Sequence, residues 1–343
     1  MKKALSVILI LAMCVALVAG CSGGSEGTSG EGGENDPLVV AVQSYYCSFP
    51  VGLMLEEKMA DEFDCPFEIE VFSSGATINE AMGEWDVAVT GGAFVYALAN
   101  YDCKLIAHQL DGTGNNDILA RKDNPILDVL DDKEAMAEIV KGSTILTNIG
   151  TTGHYALTLW LKNMGLESSD VNLVSQEFAN VYASWMAGEG GFAVLCAPYC
   201  NYDWDELGSE KIATLESEGG HLYEATVCTA DAYENRYDDV VKFVQMLYTA
   251  CDELAANPQL TFDTAKQWYT DWGREISDEE LQAEVDAKPV FTSDYAKQID
   301  LTEFAVSYAE YFADQGLIEK DRVETVKENC ANDLLEDALA SFN

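Results

Sequence analysis

The chain has 343 residues, with 60 Asp and Glu against 19 Lys and Arg, and a formal net charge of −41. This balance excludes a nucleic-acid binder, because neutralising phosphates takes clustered Lys and Arg. It also argues against docking on anionic lipid through a basic surface. Hydrophobic residues make up 48% of the chain, so it folds despite its charge, and the length suggests about two domains at roughly 100–200 residues each.

The N-terminus starts with Lys2 and Lys3 and continues through a largely apolar run, 4–18, too short for a comfortable bilayer span. Small residues, Ala19 and Gly20, then lead into Cys21. This predicts a signal peptide over 1–20 rather than a structural helix, and the site is similar to a bacterial lipoprotein box, which implies lipidation of Cys21. Residues 21–36 are rich in Gly, Ser and Glu and read as a flexible linker. Fifteen such residues span roughly 20 Å, at about 5–6 Å × √n.

Removing Cys14 with the signal and assigning Cys21 to lipid leaves Cys47, Cys65, Cys103, Cys196, Cys200, Cys228, Cys251 and Cys330. An even set outside the cytoplasm suggests disulfides, with Cys196 and Cys200 close enough in sequence to bridge each other. A metal site, which the singly standing His108, His154 and His221 do not favour, and free buried thiols are the other readings.

The body alternates strands and helices. Strands are expected at 38–42, 67–72, 85–89 and 104–107, with helices at 51–63, 77–82 and 93–100 between them. The helix at 51–63 rests on Leu55, Met59 and Phe63 at spacing four. A second unit places strands at 143–147, 171–174 and 192–196, with helices at 152–164 and 178–187. Gly165 stops the first of these helices. From 231 onward the chain reads as helical, at 237–254, 258–272, 277–285, 301–315 and 322–340. The alternation implies parallel sheets covered by helices. The domain reading is 37–121 with 227–343 as lobe 1 and 122–226 as lobe 2, the crossings falling at 118–122 and 225–230.

Three stretches carry a resemblance: GEWDVAVTGGAF at 83–94, GTTGHYAL at 150–157, and MAGEGGFAVLCAP at 186–198. In order and spacing they resemble the substrate-binding proteins of ABC importers in the nitrate/sulfonate/taurine group, which includes pyrimidine-precursor binders. In the third stretch Gly191 and Phe192 stand where that group carries an acidic residue. The resemblance implies an α/β, two-lobed periplasmic-binding-protein type II fold, with a helical C-terminal tail, and a role in import.

Candidate ligand-binding residues fall on three loops and one turn. Gln43, Ser44, Tyr45 and Tyr46 follow the first strand, where ligands of open α/β sheets bind. Gly91, Gly92 and Ala93 open one helix, and Thr151, Thr152, Gly153 and His154 open another. Unpaired N–H groups at such a terminus favour oxygen acceptors and anions. The plain alternative is a helix cap by Thr151 or Thr152. Tyr199 is expected to face the cleft from the other lobe. The cleft segments 43–49, 90–94, 111–117, 150–155 and 196–204 hold no Lys or Arg but include Asp111, Asp117 and Asp203. Burying a dianion without a cation is costly, so the ligand is expected to be neutral, zwitterionic or singly charged. Arg236 and Arg274 are the cations best placed to change that.

The functional reading is an extracytoplasmic lipoprotein, anchored through Cys21, that closes on a sulfonate-, nitrate-, taurine- or pyrimidine-like ligand. It delivers that ligand, as a monomer, to permease and ATPase subunits encoded as separate chains. No G-x-S-x-G, H-E-x-x-H or Walker A pattern occurs, and no catalytic residue, metal or cofactor is assigned. A pyrimidine-precursor enzyme-like protein and the binding component of a sensor are the alternatives.

Overall fold

The computed structural model describes residues 36–342. The expected signal segment, the expected lipidation site Cys21 and all but the last residue of the expected linker lie outside them. In chain order the first elements are β1 (Leu38–Gln43), α1 (Phe49–Glu56), α2 (Met59–Glu62), β2 (Phe67–Phe72), α3 (Gly75–Glu80), β3 (Val87–Thr90), α4 (Phe94–Tyr101) and β4 (Lys104–Asp111). Then come β5 (Asn116–Arg121), α5 (Lys133–Val140), β6 (Thr144–Thr147), α6 (Thr152–Asn163), β7 (Asn172–Ser175), α7 (Phe178–Met186), β8 (Phe192–Cys196), β9 (Ser209–Thr214) and β10 (Tyr223–Cys228). The C-terminal helices are α8 (Ala230–Asn235), α9 (Tyr237–Ala256), α10 (Pro258–Asp271), α11 (Asp278–Ala287), α12 (Ser293–Ala296), α13 (Leu301–Asp314), α14 (Arg322–Glu328) and α15 (Asn332–Leu339).

Two five-stranded sheets result, in the orders β2-β1-β3-β10-β4 and β7-β6-β8-β5-β9. β1 runs parallel between β2 and β3. It is apolar almost throughout, as a strand covered on both faces must be. β2 lies at the edge and alternates, leaving Glu68 and Glu70 exposed. In the second sheet, alternate side chains feed two separate cores. Ile118, Phe192 and Val194 face a core with Trp160 and Val140, while Leu119, Ala193 and Leu195 face one with Val181 and Trp185. That division is the period-two geometry of strands buried on both sides.

β5 pairs with β8 and β9, so the chain leaves the first sheet between Asp111 and Asn116, before the expected boundary after residue 121. It returns between Thr214 and Tyr223, because β10 pairs with β3 and β4. β5, β9 and β10 were not anticipated as strands. β10 reads YEATVC and buries Glu224 and Thr226 at its centre, which breaks the apolar signal of a central strand.

Other departures have local causes. The helix expected at 51–63 is interrupted at Lys58, which adopts a left-handed φ of 54° and turns Leu55 to solvent. The helix expected at 322–340 splits because Leu105 takes the backbone between its halves into strand-like pairing. The Leu105 N–H donates to the Asn329 carbonyl (2.8 Å) and the Ala331 N–H to the Leu105 carbonyl (2.9 Å). By contrast, α6 ends as read. Gly165 sits at φ 74°, its N–H donates to Lys162 O, and that of Leu166 to Leu161 O, both at 2.9 Å. This pair of bonds is the Schellman arrangement.

The eight cysteines beyond Cys21 are all free thiols, correcting the disulfide expectation. Cys196 and Cys200 do not bridge: the first donates to Asn116 Oδ1 (3.0 Å) and the second to the Asn115 carbonyl (3.2 Å). They behave as small buried apolar groups with weak donors. Burial pushes the Cys196 thiol up to about 12, far from a reactive thiolate.

Candidate ligand-binding cleft

The cleft lies at the C-terminal ends of β1 and β3 in one lobe and of β6 and β8 in the other, and encloses about 70 Å³. At about 10–15 Å³ of such space per water, it accommodates a small molecule. Gln43, Tyr45, Tyr46, Gly91, Gly92 and Ala93 line it from the first lobe, and Thr151 and Thr152 from the second. These are the sequence candidates that the fold brings together.

Ser44, Gly153, His154 and Tyr199 are not on the wall. Ser44 Oγ accepts from Arg274 Nε (3.0 Å) and Nη2 (2.8 Å), while the same guanidinium stacks over the Tyr45 ring at 3.7 Å. Arg274 therefore braces the first loop from outside. Gly153 allows close packing of α6 on β8: a Cβ there would stand 3.2 Å from Val194 and 3.3 Å from the Cys196 sulfur. His154 is buried, and burial pushes it down to about 4, so it is neutral. Its carbonyl lies 3.2 Å from the Tyr311 hydroxyl. Tyr199 stacks on Tyr182 with centroids 5.4 Å apart.

Neither threonine caps α6. Thr151 Oγ1 donates to the Asn148 carbonyl at 2.6 Å, and Thr152 Oγ1 lies 3.3 Å from the Cys196 sulfur. The α4 terminus likewise has no side-chain cap. Two uncapped helix starts, one per lobe, thus border one cavity with the positive ends of their dipoles.

Three charged residues that sequence reasoning missed complete the wall: Glu224 from β10, and Glu284 and Lys288 from the end of α11. Lys288 overturns the expectation of a cleft without cations. It is only 6% exposed, with Nζ 3.4 Å from Glu284 Oε1. Burial works against its charge, but Glu284 and Glu224 outweigh that and hold it above the usual lysine range. Glu284 also accepts from the Tyr269 hydroxyl at 2.7 Å. Burial raises both carboxyls against the pull of Lys288, Glu224 to about 7.

The acids expected in the cleft serve elsewhere. Asp117 pairs with Lys211 at 2.5 Å, and Asp111 accepts from the Thr113 N–H at 2.8 Å in the turn after β4. Asp203 lines a separate depression. Arg236 pairs with Asp239 at 2.9 Å and Asp86 at 3.4 Å. Glu284 lies on an acidic helix whose buried face is formed by Leu281, Glu284 and Val285, with Lys288 just past its end. Their one signal is the i, i+4 spacing of opposite charges.

Two sheets, each with helices on both faces and joined by two crossings, are the periplasmic-binding-protein fold, and solved structures agree. The nitrate-binding protein from Synechocystis PCC 6803 is 13% identical with a TM-score of 0.70, covering 90% of each chain. The aliphatic sulphonate binding protein from Escherichia coli is 15% identical with a TM-score of 0.67, covering 84% of this chain and 91% of that one. The alkanesulfonate-binding protein from Xanthomonas axonopodis pv. citri, bound to MOPS, is 19% identical with a TM-score of 0.66, covering 86% and 97%. These neighbours match the group that the three sequence stretches resemble.

Among curated proteins, the chain is similar to a putative ABC transporter periplasmic binding protein from Brachyspira hyodysenteriae. The two are 29% identical over 349 residues, covering 99% of this chain and 100% of that one. No family model matches.

Proposed function

We propose that this protein is an extracytoplasmic solute receptor that closes its two lobes on a small ligand and hands it to an ABC importer. The observation that carries the reading is a single small cavity walled by both lobes. Groups of the two lobes also meet outside it: Ser74 Oγ donates to Glu177 Oε1 at 3.3 Å, and the Tyr311 hydroxyl to Thr158 Oγ1 at 2.8 Å. A ligand touching both walls stabilises the closed state by its differential affinity. The full-length likeness to an ABC transporter binding protein supports the same role.

In this reading the protein is a carrier and not an enzyme. It works as a monomer held by a lipid on Cys21, and a permease and an ATPase on other chains complete the importer. The binding groups are the Gln43, Tyr45 and Tyr46 loop, the α4 start at Gly91, Gly92 and Ala93, and Thr151 and Thr152.

The test is native mass spectrometry of the freshly purified chain, followed by thermal shifts with nitrate, sulfonates, pyrimidines, carboxylates and amines. One class should raise the melting temperature in a concentration-dependent way, the fold gaining about 2.7 kcal/mol of stability at a hundredfold excess over Kd. No bound mass and no shift across the panel would remove the receptor reading.

A further inference from the structure

Glu224 is 5% exposed and borders the cavity, yet its Oε2 has no hydrogen-bond partner. Two glycines make room for it: a Cβ on Gly91 would come 2.7 Å from Oε2, and one on Gly112 would come 2.6 Å from Oε1. Neither glycine has a positive φ, so space rather than backbone conformation sets them apart here. Gly92 leaves the same kind of room for the Tyr308 hydroxyl, also buried without a partner. The fold therefore holds a carboxylate against the cavity wall and leaves its hydrogen-bonding capacity unused. An unmet buried carboxylate is costly, and an N–H donor relieves that cost.

Charge points the same way. Lys288 is one ammonium facing two carboxylates, Glu284 and Glu224, and Glu284 already holds Lys288 and Tyr269. A sulfonate or nitrate placed against Glu224 adds a like charge, whereas an amino group removes one.

We propose that the ligand carries an amino nitrogen received by the Glu224 carboxylate, with its oxygen acceptors turned to the uncapped starts of α4 and α6. This rests on the receptor reading and narrows its substrate class. Glu224 is then the residue that rejects simple oxyanions.

Matched pairs test it on the full chain: 2-aminoethanesulfonate against ethanesulfonate, 3-aminopropanoate against propanoate, and 4-aminopyrimidine against pyrimidine, with nitrate alongside. At pH 8 the amino member of at least one pair should bind about tenfold or more tighter than its partner, the scale of one charge-assisted hydrogen bond. E224Q should erase that preference while remaining folded by circular dichroism.

The preference should grow as pH rises through about 7, as Glu224 ionises; Lys288, Glu284 and Asp111 are the charged groups acting on it. His108, whose ring contacts the Glu224 carbonyl at 3.1 Å, is neutral over that range, with burial pushing it down to about 4. Equal or tighter binding of nitrate or ethanesulfonate, or a preference that survives E224Q, would overturn the assignment of Glu224 and leave the receptor standing. Failure of every compound to bind, with no co-purified mass, would overturn both.

Discussion

Glu224 links the chemistry of the cleft to the stability of the empty protein. Its carboxyl is held near 7 when folded, well above the ordinary 4.5. The folded state thus keeps a proton that the unfolded state has lost, and stability falls as pH rises between those values. His108 and His154 act in the opposite sense. Burial lowers both to about 4, so their contribution is complete above about 6.5 and is lost as pH falls toward 4. E224Q should therefore raise the melting temperature of the unliganded protein more at pH 8 than at pH 5. An equal gain at both values would show that Glu224 is not ionised in the folded state. Lys288→Met removes the ammonium that offsets both carboxylates. Stranding buried charge in this way typically costs about 3–5 kcal/mol, and urea titration should show the larger loss at alkaline pH, where both carboxyls are ionised.

Whole elements are placed by contacts that local preference does not reveal. The break between α14 and α15 depends on Asn329, whose side chain donates to the Leu98 carbonyl at 2.9 Å and accepts from Lys104 Nζ at 2.6 Å. Asn329→Leu favours a continuous helix and leaves both partners unsatisfied. A loss of about 1–3 kcal/mol is expected in denaturant unfolding, larger than the loss from an exposed helix substitution. At the end of α6, Gly165→Ala forces a side chain into the left-handed region and should cost about 1 kcal/mol by the same measurement.

Across the whole molecule, the net charge of −41 opposes the compact state by self-repulsion. Among the described residues, exposed ion pairs such as Lys122–Asp205 at 2.5 Å contribute little. Raising salt from about 10 mM to 150 mM shortens the Debye length to about 8 Å and should raise the melting temperature. A flat or falling profile would show that repulsion is already relieved by the spacing of the acids. The same charge, set beside anionic lipid headgroups, keeps the body off the membrane surface in the receptor reading.

Much of this architecture was legible in the residues. Apolar runs gave the strands β1, β3, β6 and β8, because strands covered on both faces cannot hide their composition. The Gly-Thr-Thr-Gly stretch gave the start of α6, and Gly165 gave its end. The loop residues Gln43, Tyr45 and Tyr46 and the glycines at 91 and 92 were found because strand ends and helix starts are local features. What the sequence could not convey is the cleft's charge. Glu224 reaches the wall because β10 crosses back from the second lobe and inserts antiparallel between β3 and β4, beside Gly91 and Gly112. Glu284 and Lys288 arrive from the C-terminal helices. Local periodicity reports which face of an element is buried. Which distant charge comes to rest against a given glycine depends on the path of the chain between lobes, and only the tertiary structure decides that.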